Sequence, residues 1–469
     1  NTSLDTAAAL VGMEKGDMEQ ALADNTLGEY AATDAAICGA LFDKYWHILP
    51  EDERGFVDIH VRMATEPVLE LDTEALQRLA DADKAMEGDG GLFQLVRKDD
   101  LFASALTALG VNPEYKTTDK GNLKLALAKT DAFMQGLQNH PNELVRLLAD
   151  IRLKARSTIL RTRSQRFLDV GAPLPAPTLY FGAHTGRGSG LDMINVQNLP
   201  RKGGLRECAL APEGHKLVIV DSSQVEVRTN AWLAGQEDLL EDFRQGRDPY
   251  LSFASFRYNL DYEDLLRRHK EEDPTVATQR QVCKAAVLAL GFMQGAGGFE
   301  GYCKSNNVPL AEGEAPQVVQ TYRDRHQKIV GLADNTLNLI RRQGTTPAPN
   351  GTKLTYPDLK FEGRDVLWRR PVIFAKSANE GHSSLWRGSA IENLVQKVAR
   401  DVVFWQALQM HRAGLRVVLM AHDEVVLLAR DEDAEAALEA ALAWMQTNPP
   451  WAEGLPLGAE GKITDRYTK

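Results

Sequence analysis

The sequence predicts an α+β protein, mainly helical, built around a small antiparallel sheet. Three observations predict it. Residues 231–343 and 389–412 carry long helical patterns, the second with Ile391, Leu394, Val398, Val402, Trp405 and Leu408 on one stripe. Residues 217–220, Leu-Val-Ile-Val, form a short apolar, β-branched run that ends on Asp221, as a buried strand does. Residues 417–420 and 425–428 are apolar runs on either side of His422-Asp423-Glu424, which reads as a hairpin with Asp423 at its tip.

The other elements follow in order. Residues 1–47 read as helical and acidic, and 55–83 as a further helix in which Val57, Ile59, Val61, Met63 and Val68 mix periods. Residues 90–170 keep helical periodicity and end in a basic stretch. Pro173, Pro175 and Pro177 break the chain, and an irregular, Gly-rich segment covers 182–204. After the strand and the helical region, Pro349-Asn350-Gly351 marks a hairpin turn. The last helix, residues 433–444, is acidic outside with Ala and Leu inside.

The 469 residues suggest roughly two to four structural units. With 43% hydrophobic and 25% charged residues, wholesale disorder is excluded. No run of eighteen apolar residues exists, so no membrane span is expected. The start lacks a basic and apolar leader, and opening on Asn1 reads as a processed or excised fragment. Cys38, Cys208, Cys283 and Cys303 form no C-x-x-C pair, which speaks against zinc and for a reducing cytoplasm. The net charge of −11 argues against a generally basic surface. Residues 146–166 are the exception, with Arg146, Arg152, Lys154, Arg156, Arg161, Arg163 and Arg166 against Asp150 alone. That stretch suits either a solvated helix face or a grip on phosphates.

Two strand-associated carboxylates, Asp221 and Asp423, each stand where a buried strand meets an open edge. Alone, either reads more simply as an aspartate capping a turn. As a pair they suit a hard cation such as Mg²⁺, which accepts one or two protein carboxylates and completes its shell with water and phosphate. Arg280-x3-Lys284-x3-Leu288-x3-Phe292 places two cations and then two apolar groups on one inclined helix stripe. Such a stripe fits an amphipathic helix with snorkelling cations, or charge for a triphosphate followed by a surface for its base.

The order Asp221-Ser-Ser-Gln-Val-Glu226-Val-Arg228, then Arg280-x3-Lys284-x7-Phe292, then His422-Asp423-Glu424 resembles motifs A, B and C of family A DNA polymerases. Thr185-Gly186-Arg187 followed by Gln197-Asn198-Leu199-Pro200 resembles the segment before motif A, and Glu392-Asn393-x2-Gln396-x2-Ala399-x-Asp401 the helix before motif C, closest to the bacteriophage branch. The resemblance covers residues 55–469.

It implies a right-hand polymerase fold, with an antiparallel-sheet palm, a helical thumb and helical fingers. Residues 51–83, 167–232 and 346–469 would form the palm, 84–166 the thumb and 233–345 the fingers. Asp221, Asp423 and the carbonyl of Ser222 would bind two Mg²⁺ ions, with Glu424 orienting the site from behind. Arg280 and Lys284 would hold the triphosphate, and Lys284 could protonate leaving pyrophosphate. Leu288, Phe292 and Tyr250 would complete the dNTP site, with Glu226 excluding a 2′-hydroxyl. Arg187, Gln396, His422, Gln197 and Asn198 would meet the primer–template end, and Lys154, Arg156, Arg161 and Arg163 its phosphates. The implied partners are primer–template DNA and dNTPs, with no membrane and a monomeric state; replisome partners stay open. A bacteriophage origin and the host cytoplasm follow from the resemblance alone.

Four positions depart from the pattern. Ser222 stands where Tyr is common, Leu288 where an aromatic stacks, Phe292 where a Tyr pairs with the gate glutamate, and Tyr250 where His is expected. How Glu226 is held is therefore open. Tyr30 and Asp34 resemble the last motif of a 3′–5′ exonuclease domain, of which residues 1–50 would be a remnant without proofreading, or they are simply helix neighbours. The competing functions are a single-subunit RNA polymerase and a DNA-binding protein that has lost catalysis.

Overall fold

The structure is a computed structural model that describes residues 4–87, 91–117, 122–128, 131–156, 159–191, 194–200, 203–362, 365–369 and 382–468. It is α+β, as the sequence implies. The central sheet has four antiparallel strands in the order Arg416–Ala421, Glu424–Arg430, His215–Ser222, Ala459–Thr464. The two apolar runs around Asp423 form the expected hairpin, joined by His422 and Asp423 alone.

Residues 217–220 are buried without alternation because the strand is covered on both faces. Helix Ala434–Met445 packs on the sheet, and the long helix Arg387–Arg412 with helix Glu51–Thr65 packs along the outer hairpin strand. These elements share one apolar core that includes Ile59, Val218, Val220, Phe404, Leu419, Val426 and Ala441. Two close approaches depend on glycine. A Cβ on Gly461 would come within 2.7 Å of Leu438 and 2.9 Å of Val220, and one on Gly55 within 2.6 Å of Leu408. The edge strand and the Glu51–Thr65 helix thus sit closer than any side chain allows.

The helical region after the sheet strand has its own core, including Leu251, Phe253, Val282, Ala286, Phe299, Val318 and Tyr322. The rings of Tyr322, Phe253 and the buried His326 pack there edge-on or tilted, with centroids within 5.7 Å of one another. A third apolar cluster, with Val96, Phe102, Leu106, Met134 and Val145, lies in the region that ends in the basic stretch.

Two expectations need correction, and one strand was not foreseen. The single helix over 55–83 is two, Glu51–Thr65 and Thr73–Glu87, separated by the short strand Glu70–Leu71 that pairs with Ala209–Leu210; this explains the mixed periods. The region 90–170 is not helical throughout, since Tyr115–Thr117 and Leu123–Leu125 pair as a hairpin. Strand Ala459–Thr464 had no sequence signal. Among the described residues no helix is long and apolar enough to cross a membrane.

Candidate active site

Asp221 closes the His215–Ser222 strand and lies directly opposite Glu424. The backbone N–H of Ser222 donates to the carbonyl of Asp423 at 2.9 Å. The register therefore brings Asp221 and Asp423, 202 positions apart in sequence, to the same end of the sheet. Both are partly exposed, while Ser222 and Glu424 are buried. His422, exposed, takes the left-handed conformation (φ 59°) that turns the hairpin and presents Asp423. Among the described residues no three His, Cys, Asp or Glu side chains gather as a metal site. Two partly exposed carboxylates are a donor set that fits a hard cation taking its other oxygens from water and phosphate.

Behind this pair the support is buried. Glu424 accepts a hydrogen bond from the Tyr467 phenol at 2.5 Å and lies 3.9 Å from the Arg206 guanidinium, which sits over the Tyr467 ring. Burial, and then the Glu424 carboxylate, push the Tyr467 phenol well above its ordinary range. Arg228 fixes the turn after Asp221 by donating to the carbonyls of Ser223 and Pro456 at 2.8 and 3.0 Å. Burial lowers its guanidinium to about 10. Arg206, Arg228 and Tyr467 carried no assignment from sequence.

Helix Pro274–Leu290 presents Arg280 and Lys284 one turn apart. Asp248 accepts from Arg280 at 2.7 Å and caps helix Pro249–Tyr258 through the N–H groups of Tyr250 and Leu251. The Tyr250 ring, only 5% exposed, lies 5.3 Å from the Arg280 guanidinium carbon and 5.7 Å from the Lys284 ammonium. Tyr250 is thus a platform beneath the two cations rather than an exposed hydroxyl. The expected stripe stops at the half-buried Leu288: the helix ends at Leu290, and Phe292 lies in the turn beyond it.

The carboxylate of Glu226, in the first turn of helix Val225–Ala234, is ion-paired with Arg187. Gln396 donates to Glu392 at 3.1 Å on the long helix. Burial, and then the Glu226 charge, raise the Glu392 carboxyl above its usual range, while Arg187 opposes them. These four side chains form one cluster. Arg400, buried among Phe56, Tyr180, Phe181 and Phe404, donates to the carbonyl of Gly186 at 3.0 Å and so holds the loop that carries Arg187. Asp401 accepts from Arg400, Lys397 and Asn350 within 2.9 Å.

The model of DNA polymerase family A matches residues 68–469. This chain belongs to DNA polymerase family A. It is 26% identical over 415 residues to the DNA polymerase of Bacillus phage SP02, covering 75% of this chain and 61% of that one. To the thermostable DNA polymerase I of Thermus thermophilus it is 26% identical over 280 residues, covering 59% of this chain and 30% of the relative. The chain thus spans 61% and 30% of the length of these two relatives. Its fold matches the POL domain of Pol1 from M. smegmatis, solved in complex with DNA primer-template and dNTP, with a TM-score of 0.73 at 18% identity over 100% of this chain and 79% of that one. The fold is the right-hand polymerase fold.

Several residues expected from this family to face DNA are otherwise engaged. Arg187 pairs with Glu226. Gln197 is buried, packed near Gly188, while Asn198 is exposed. Arg163 is partly buried and donates to the carbonyl of Asn198. Arg146 donates to the carbonyls of His140 and Pro141, and Arg152 is a core residue bonded to Val96 and Asp99 over the Phe102 ring. The basic stretch is therefore not one row of seven surface cations; Arg161 is half-buried on helix Ile159–Val170. Lys154 and Arg156 lie on helix Glu143–Arg156 with side chains outside the described residues. Near the N-terminus, Lys15 lies 3.7 Å from Asp34 and 5.4 Å from the centre of the Tyr30 ring.

Proposed function

We propose that this chain carries out template-directed addition of dNTPs to a primer 3′ end. The observation that carries this reading is the juxtaposition of Asp221 and Asp423 at one open end of the sheet, tied by the Ser222 N–H to Asp423 carbonyl bond. The sheet and its covering helices, residues 51–83, 167–232 and 346–469, serve as palm; 84–166 serve as thumb and 233–345 as fingers.

In the reaction the primer 3′-oxygen attacks the α-phosphorus, a new P–O bond forms, and the bond to the bridging oxygen of pyrophosphate breaks. Asp221 and Asp423, with the carbonyl of Ser222, would hold the divalent ions, in keeping with a family that generally depends on divalent metal. Two bound Mg²⁺ ions would acidify the 3′-hydroxyl and stabilise charge on the departing pyrophosphate. Glu424, fixed by Tyr467 and Arg206, keeps the sheet end rigid behind the two aspartates. Arg280 and Lys284 bind the triphosphate oxygens, and their shared Tyr250 platform limits how far either can stray. Lys284, exposed on the same helix as Arg280, would give a proton to the departing pyrophosphate. Leu288 and Phe292 border the base, and Glu226 occupies the space a 2′-hydroxyl would need. Arg187 and Gln396, with His422 and Asn198 nearer the rim, meet the primer end through minor-groove acceptors common to all correct pairs.

The test is extension of a labelled primer–template by the wild-type chain with dNTPs or rNTPs, with Mg²⁺ and again after chelation. Extension by dNTPs, poor extension by rNTPs and loss on chelation support the reading. Salt-dependent duplex binding without extension would make the protein a binder only, and preferred use of rNTPs would make it an RNA polymerase.

A further inference from the structure

The sugar gate lacks its expected phenol, because residue 292 is Phe. A glutamate side chain has three rotatable bonds, so an untethered Glu226 carboxylate would swing aside for a 2′-hydroxyl at small cost. In this chain the carboxylate is tethered from the opposite direction. Arg187 reaches it from the loop between strands Thr178–Leu179 and Ser189–Gly190, and that loop is fastened to the palm by Arg400 through the Gly186 carbonyl. The pair is partly shielded, with side chains 26% and 30% exposed, so the interaction is less screened than a fully exposed pair. A second carboxylate, Glu392, is close enough to repel Glu226 and attract Arg187, and its hydrogen bond from Gln396 keeps it in place.

We propose that Arg187 is a positioning residue for the Glu226 carboxylate and that Glu392 is a competing anion, so that the balance between the two sets discrimination between deoxyribose and ribose. This rests on the polymerase reading above. A guanidinium has five donors in a rigid fork, so one edge can hold Glu226 while another faces the primer end. Sugar selection and reading of the primer terminus would then share one side chain. A primer end that draws Arg187 away would also loosen the gate.

The two neighbours should act in opposite directions. Removing Arg187 releases the gate. Neutralising Glu392 removes both the repulsion on Glu226 and the competition for Arg187, and so tightens it. Glutamine at 392 keeps the oxygen that accepts from Gln396.

The experiment measures kcat/KM for a dNTP and for the matching rNTP in the wild type and in Arg187→Met, Arg187→Lys and Glu392→Gln. The readout is the ratio of the two, because loss of a primer contact or of fold slows both substrates alike and leaves the ratio unmoved. Expected is a fall in the dNTP/rNTP ratio of about tenfold or more in Arg187→Met, in line with one lost charge-assisted hydrogen bond, with partial recovery in Arg187→Lys and a rise above wild type in Glu392→Gln. An unchanged ratio in Arg187→Met overturns the proposal while leaving the polymerase reading intact. If Arg187→Met does not fold, a ratio in Glu392→Gln at or below wild type overturns it. A wild-type chain that adds neither nucleotide overturns both readings.

Discussion

The phenol of Tyr467 donates to Oε1 of Glu424 at 2.5 Å, and Glu424 lies directly opposite Asp221 in the sheet. A residue of the C-terminal segment thus braces a buried carboxylate that adjoins both proposed metal ligands. Tyr467→Phe removes the donor and leaves that oxygen with Arg206 at 3.9 Å. A loss of about 1–3 kcal/mol in urea unfolding is expected, from the cost of an unmet hydrogen bond to a buried charged group. The phenol is raised in the folded state, so its contribution is present below the ordinary tyrosine range and fades as pH rises beyond it. The variant should therefore lose less stability than wild type between pH 9 and pH 11, on the scale of about 10 for a free phenol.

His60 is buried between Tyr180 and Phe404 and bonds to the Phe56 carbonyl at 2.7 Å. Burial pushes its imidazole down to about 4. The folded protein then refuses a proton that the unfolded chain takes up. Stability present above pH 6.5 is lost as pH falls toward 4, by about 3 kcal/mol from this group alone. Unfolding curves at pH 7 and pH 5 should lie closer together for His60→Phe than for wild type; equal acid sensitivity in the two would contradict this.

Arg400→Met takes a buried cation away from Asp401, Glu53 and the Gly186 carbonyl together. Breaking such a buried pair on one side costs about 3–5 kcal/mol. Weaker primer–template binding, read by fluorescence anisotropy, should accompany it because the Arg187 loop loses its anchor. A destabilisation under about 1 kcal/mol would contradict the anchoring role.

Asp248→Ala separates two effects of one carboxylate. Loss of the cap on helix Pro249–Tyr258 should cost about 1 kcal/mol of stability. Loss of the partner that aims Arg280 should raise the KM for dNTP by about tenfold with little change in kcat. Asp248→Asn keeps the cap, so it should restore stability but not KM.

What the sequence made legible was local. An unbroken apolar run ending on Asp221, and two runs meeting at Asp423, are buried strands delivering carboxylates to an edge, and the structure has both. The edge strand Ala459–Thr464 escaped notice because its residues are half-buried or exposed, without alternation, and its fit depends on the missing side chain of Gly461. The stripe from Arg280 to Phe292 ran past the helix because the spacing of charges says nothing about Gly291 ending it. Counting arginines overstated the basic face, since a charge sum cannot tell Arg152, buried over Phe102, from a surface cation. The pairings Arg187–Glu226 and Arg206–Glu424–Tyr467 join residues far apart in sequence, and no local pattern reports them.

The most direct test of the central claim is single-turnover dNTP incorporation by Asp221→Asn and Asp423→Asn on a primer–template that each variant still binds. Each change keeps shape and removes one charge from the proposed metal site. Expected is a fall of about a thousandfold or more in incorporation rate for both variants, with duplex affinity within about threefold of wild type. Incorporation within about tenfold of wild type in either variant would contradict the assignment of Asp221 and Asp423 as the carboxylates of the reaction.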